Sequence, residues 1–184
     1  MVSSFGTQMK QGSQWLSLWC VGLILLGSSC APQEGTSPTS LASPEPSFHL
    51  SELIRKGDAR RQASTGLVLT GLDFDQNGRP DRAAAQYQLA IQLDPSNPLA
   101  YLAFARHFCD NSNPLQSLSY LDKLENLQPI HQLPHGVRAH VAGIRGWALL
   151  EDGNLERAIP YLRQARSLAP STWADARLSP EELR

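Results

Sequence analysis

The stretch Asp152-Gly153-Asn154-Leu155-Glu156-Arg157-Ala158-Ile159 sits in a block closed by Pro170, whose small and large apolar residues stand at Gly146, Leu149, Ala158, Leu162 and Ala165. The same offsets before Pro95 hold Gly71, Phe74, Ala83, Tyr87 and Ala90. Before Pro129 they hold Ala105, Phe108, Ser117, Leu121 and Leu124. Pro95 and Pro129 are 34 residues apart and Pro129 and Pro170 are 41 apart, so seven extra residues separate the second and third blocks. A fixed period of this length marks a repeat architecture, in which each unit buries its apolar face against its neighbours. In the first block Asn77-Gly78-Arg79-Pro80-Asp81 is turn chemistry, with Asp81 placed to cap a helix running through Leu93, and Asp110 to Pro114 does the same in the second.

Composition agrees with an all-α chain. Hydrophobic residues make up 41% and charged residues 18%, enough for a core, while strand-like runs of Val, Ile and Thr are absent. The formal net charge is −1. Lys10 is the one charge among residues 1–29, so removing that segment makes the balance more acidic still, and nucleic acid is excluded as a partner on charge.

The 34-residue period, small residues facing one another, and the closing proline resemble the tetratricopeptide repeat over Ser64 to Thr172. In that family a Gly or Ala on the first helix meets a small residue on the second, because helix axes approach closely only where side chains are small. Gly71 with Ala83, Ala105 with Ser117, and Gly146 with Ala158 fit that role as helix-packing pairs, Ser117 bringing a hydroxyl that needs a partner. The resemblance implies an all-α, right-handed helical solenoid of three helix-turn-helix repeats with a short N-terminal helix. Its inner face would be lined by the first helix of each repeat. Carried over, the groove positions are Thr65, Val68, Leu72 and Asp75, then Leu99, Leu102, Arg106 and Cys109, then His140, Gly143, Trp147 and Leu150. Val68, Leu72, Leu99, Leu102, Arg106, His140 and Trp147 are the candidate partner-binding residues, in an apolar groove suited to an extended or helical peptide. The Lys and Asn set with which chaperone-binding members clamp a C-terminal carboxylate is missing. An alternative occupant of the groove is the chain's own segment Leu53 to Gln62.

At the N-terminus, Trp15 to Leu26 is an uncharged, largely apolar run preceded by Lys10 and followed by small residues, the build of a secretory signal. Its 12 residues fall short of the roughly 20 needed to span a bilayer. Leu26-Gly27-Ser28-Ser29-Cys30 resembles the lipobox of bacterial lipoproteins, which implies lipidation of Cys30 and cleavage before it. Ala31 to Ser47 is rich in Pro, Ser, Thr and Gly and reads as a tether, with a reach on the order of 25 Å. The expected organisation is a signal over 1–29, lipidated Cys30 and tether over 30–48, an N-terminal helix over 49–63, and repeats over 64–97, 98–131 and 139–172. An insert loop spans 132–138 and a tail 173–184, the tail forming a thin cap on the last repeat, whose apolar end a homodimer contact or partner would cover.

No nucleotide loop, paired-Cys motif or Gly-x-Ser-x-Gly elbow occurs, so no catalytic residue, cofactor or metal is assigned. His131, His135 and His140 are loosely spaced without an intervening carboxylate or thiolate, and a solvated loop outweighs a zinc site there. Cys109 is expected to be buried as a small hydrophobe. The expected function is a non-catalytic interaction scaffold, lipid-anchored to a bacterial envelope membrane, with a protein or peptide partner in the groove. Pilotin-type lipoproteins of type IV pili or secretion systems and assembly factors for photosynthetic complexes share this build. A metal-binding protein using the His-rich insert is the alternative of a different class.

Overall fold

The computed structural model describes residues 48–53 and 57–184. The expected signal segment, the expected lipidation site Cys30 and the expected tether up to residue 47 lie outside the described residues. Among the described residues seven α-helices follow in order: α1 Ala59–Gln76, α2 Pro80–Leu93, α3 Pro98–Asp110, α4 Pro114–Leu127, α5 His135–Glu151, α6 Leu155–Leu168 and the single turn α7 Pro180–Leu183. Short 3-10 turns occur at Leu50–Leu53 and Ile130–Gln132, and there is no strand among the described residues. α1 pairs with α2, α3 with α4 and α5 with α6, and the first helices α1, α3 and α5 also pack side by side. The chain is therefore all-α, with the helical-repeat architecture of the tetratricopeptide type.

The turns inside the three hairpins are built by the same backbone bonds. Asn77 N–H donates to Asp73, Gly78 to Asp75 and Arg79 to Phe74, at 3.1, 3.0 and 2.8 Å. The sets Asn111, Ser112, Asn113 and Asp152, Gly153, Asn154 repeat this onto His107, Cys109, Phe108 and onto Ala148, Leu150, Leu149. These bonds satisfy carbonyls that a helix C-terminus leaves unpaired, and they need a left-handed residue at the middle position. Gly78 and Gly153 take it at φ 66° and 78°, but the second repeat has Ser112 at φ 55°. A side chain there is strained by about 1 kcal/mol, so Ser112→Gly should stabilise the chain by about that amount, read as a higher urea midpoint.

Close helix approach rests on the small residues picked out by the offsets. A methyl group on Gly71 would stand 2.5 Å from the Tyr87 ring, and one on Gly146 would stand 2.7 Å from Leu162, the residue equivalent to Tyr87. Ala83, Ala105, Ser117 and Ala158 are fully buried. The Ser117 hydroxyl accepts from the Cys109 thiol at 3.2 Å, and burial pushes that thiol up to about 12, so it is unreactive at neutral pH. Between repeats one and two, the Ser64 hydroxyl donates to the Ala90 carbonyl and accepts from the Asn97 amide, both at 2.9 Å. Rings of Phe104, Phe108 and Tyr120 cluster between α3 and α4 with centroids 4.5 to 5.3 Å apart, Phe108 stacked on both neighbours and Phe104 tilted against Tyr120.

Three segments differ from the sequence expectation. Instead of a helix over 49–63, there is a 3-10 turn at Leu50–Leu53, and α1 starts at Ala59, where the Asp58 carboxylate accepts from the Arg61 N–H at 2.8 Å. Gly57 before it has φ 96°, which no helix accommodates. The insert is only partly a loop: α5 begins at His135, so most of the extra residues lengthen the first helix of repeat three, and Leu133 and Val137 are buried. Pro134 stands just before the first turn of α5, where its missing N–H costs nothing. The tail does not cap the last hairpin, since Leu155 and Ile159 on α6 remain exposed. It turns back across the first helices.

Candidate functional site

The candidate site is the inner face formed by α1, α3 and α5. Positions related by the repeat line up across it as Val68, Leu102 and Gly143, then Leu72, Arg106 and Trp147, then Thr65, Leu99 and His140. All seven candidate groove residues, Val68, Leu72, Leu99, Leu102, Arg106, His140 and Trp147, come together there, and all are buried. What covers them belongs to the chain itself.

The covering segment crosses the three first helices in reverse order. Trp173 lies on α5, its indole filling the space that a side chain at Gly143 would need and standing 6.2 Å from the His140 ring. Next, the Leu178 carbonyl accepts from Arg106 Nη1 of α3 at 3.4 Å. Finally Glu181 accepts from Gln76 of α1 at 2.6 Å, and Arg184 pairs with Asp73 of the same helix. Trp173, Leu178 and Leu183 are each at most 1% exposed and join the same core as the groove residues. A capping box closes α7, with Ser179 and Glu182 each bonding the other's backbone. The N-terminal side contributes as well: the Ser51 N–H donates to the Arg184 carbonyl at 2.8 Å, Leu50 is fully buried, and Phe48 packs on Gly136 and His140. The occupant is thus mainly 173–184 with Phe48 to Ser51; of the alternative occupant Leu53 to Gln62, residues 54–56 lie outside the described residues, and those from Gly57 on are exposed or, at Arg61, half-buried.

Beneath this cover lies a charged cluster. Arg106 Nη2 donates to Asp75 Oδ2 at 2.5 Å, with the Arg106 side chain 0% and the Asp75 side chain 3% exposed. The other Asp75 oxygen meets His107 Nδ1 at 2.7 Å, and the Tyr87 hydroxyl donates to Oδ2 at 2.9 Å. Burial alone would raise the Asp75 carboxyl, but the His107 bond, the Arg106 charge and the Tyr87 bond outweigh it and hold it below the usual carboxylate value. Burial, then the Asp75 charge, pushes the Tyr87 hydroxyl up, keeping it a neutral donor. Asp75 appeared in the sequence only as a groove position; its role as the hub was hidden because its partners come from two other helices.

His140 is the reverse case. Burial pushes its imidazole down to about 4 from an ordinary 6.5. The nearby Phe48 backbone favours the charged ring weakly, yet no hydrogen bond of normal geometry reaches either ring nitrogen among the described residues. The folded state thus binds this proton less readily than the unfolded chain, and stability falls as pH drops from about 6.5 towards about 4. Between pH 7 and pH 4.5 the loss should be about 2–3 kcal/mol, and His140→Phe should remove most of it, as urea titrations at both pH values would reveal. No group of three or more His, Cys, Asp or Glu able to hold a metal occurs among the described residues, and the arrangement separates buried His140 from exposed His131 and His135.

A partly open cleft of about 120 Å³ remains at the N-terminal ends of α1, α3 and α5, lined by Thr65, Pro98, Leu99, Leu133 and Val137 with Arg61 at its edge. Arg61 is fixed there by Asp94 and by Ser96.

Comparison with known proteins agrees with this architecture. The tetratricopeptide repeat profile matches residues 139–172. A solved structure, the N-terminal domain of stress-induced protein-1 (STI-1) from C. elegans, is similar at 18% identity with a TM-score of 0.53, covering 61% of this chain and 89% of that one. No curated protein matches the sequence.

Proposed function

We propose that this chain is a non-catalytic protein-interaction scaffold, anchored to a cell-envelope membrane through lipidated Cys30, that assists the assembly or localisation of a larger complex. The observation supporting the scaffold reading is that the inner face of three stacked hairpins accepts a polypeptide segment laid across all three first helices, with apolar anchors buried and polar groups bonded at the rim. The lipobox-like Leu26 to Cys30 and the polar stretch after it support the anchor.

Two measurements test the two halves separately. Cells fed an alkynyl fatty acid should label the chain, and Cys30→Ser should abolish both label and membrane recovery; an unlabelled wild-type chain refutes the anchor. Affinity capture of the full chain from detergent-solubilised envelope should return a discrete protein that also binds the purified chain directly. If no captured protein binds directly, the scaffold reading fails.

A further inference from the structure

Resting on the scaffold reading, we propose that residues 173–184 are a built-in ligand of the inner face, holding it closed until a partner segment of like chemistry displaces them. That segment would carry an aromatic anchor followed by two aliphatic anchors and at least one carboxylate able to reach Arg106.

The anchors fall at Trp173, Leu178 and Leu183, five residues apart, and each is buried against the stacked first helices. Repeat three has Gly143 where repeats one and two have Val68 and Leu102, so the wall carries a slot that the Trp173 indole fills. The slot therefore selects a large flat ring. Around the anchors Arg166 Nε donates to the Trp173 carbonyl at 3.0 Å and the Ser51 N–H to the Arg184 carbonyl at 2.8 Å, and the remaining polar attachments are weak. The pair Arg177 with Glu151, the bond of Gln76 with Glu181 and the pair Arg184 with Asp73 all lie at the exposed rim, where solvent weakens them. From Ser171 to Ser179 the backbone forms no helix or strand.

Polar atoms are left unmatched where the segment meets the wall. Trp173 Nε1, Arg106 Nε and both ring nitrogens of His140 are buried without a hydrogen-bond partner among the described residues. The segment offers Arg106 only a long bond from a neutral carbonyl, at 3.4 Å. Buried polar groups in folded proteins are ordinarily paired, so an occupant that leaves these atoms unmatched fits less well than one that could satisfy them. A partner carboxylate reaching Arg106 Nε would supply a charge-assisted bond the internal segment lacks, which is the basis for displacement and for an acidic partner.

The test uses the full chain first. In amide hydrogen exchange, residues 173–183 should exchange at least 100-fold faster than α3 and α5 through a local opening; exchange at the rate of α3 and α5 overturns the proposal, because the segment then opens only with the whole fold. Second, a synthetic peptide of residues 171–184 should bind a chain shortened after Pro170 and bind the intact chain at least 100-fold more weakly. The Trp173→Ala peptide should lose at least tenfold. A helical shortened chain that ignores the peptide overturns the proposal, and so does a full chain that sediments as a dimer with segments exchanged between copies. Exchange on the intact chain decides even where the shortened chain does not fold. If envelope capture fails while the peptide binds, the scaffold reading falls alone; if capture succeeds while residues 173–183 are as protected as α3, this inference falls alone.

Discussion

Asp75→Ala is expected to destabilise the chain by about 3–5 kcal/mol, the usual consequence of removing one partner from a buried ion pair. The effect is large because the wall is built around one carboxylate. Without it, the fully buried Arg106 guanidinium keeps, among the described residues, the Leu178 carbonyl and the half-exposed Asp110 carboxylate, both at 3.4 Å. Tyr87 and His107 lose their acceptor in the same step. Urea denaturation followed by far-ultraviolet circular dichroism measures this directly. The same cluster sets an acid limit: Asp75 has a folded pKa below its ordinary 3.8, so its contribution is present above that value and is lost as pH falls through the lower folded one. An Asp75→Ala chain as stable as wild type would mean that α1 and α3 are not joined by this pair.

Gly143→Ala is the second large effect, and its sign runs against helix propensity. Gly143 lies inside α5, where exchanging Gly for Ala ordinarily stabilises by roughly 1 kcal/mol. Here the added methyl would overlap the Trp173 indole. Burying a Trp side chain of roughly 150–250 Å² contributes about 4–6 kcal/mol as an upper bound. Expelling it should therefore give a net loss of about 2–4 kcal/mol, with Trp173 emission shifted to the red. Gly66→Ala in α1 is the internal control, since nothing lies within 4 Å of a methyl there, and it should be neutral or stabilising. If both substitutions stabilise alike, Trp173 is not seated on Gly143.

The hairpins were legible in the sequence because stacking repeats the same steric demand at a fixed interval. Gly71 and Gly146 recur at one offset since each must let a bulky residue, Tyr87 or Leu162, lie against the opposing backbone. The turns were legible from Asn-Gly and Asp-Gly, and less so in repeat two, where Ser112 carries the left-handed conformation without a glycine. What the sequence hid is contact between segments distant along the chain. Trp173, Leu178 and Leu183 match no helical or strand period, and their five-residue spacing acquires meaning only once three first helices stand side by side. The insert was misread for a local reason: Pro134 and Gly136 resemble loop residues, whereas one precedes a helix start and the other makes room for Phe48. The inner face was expected to hold a partner, with 53–62 as an alternative occupant, a stretch whose later part, from Ala59, belongs to α1; the cover instead comes from 173–184 with Phe48 to Ser51.

The closed inner face turns on one contact, the Trp173 indole seated on Gly143. Nuclear Overhauser spectroscopy of the chain in solution measures it without perturbing it. Strong cross-peaks between the Gly143 α-protons and the Trp173 ring, with those α-protons shifted upfield by the ring current, are the predicted result. Trp173 resonances at unstructured positions, with no cross-peak to Gly143, would contradict it and leave the inner face open.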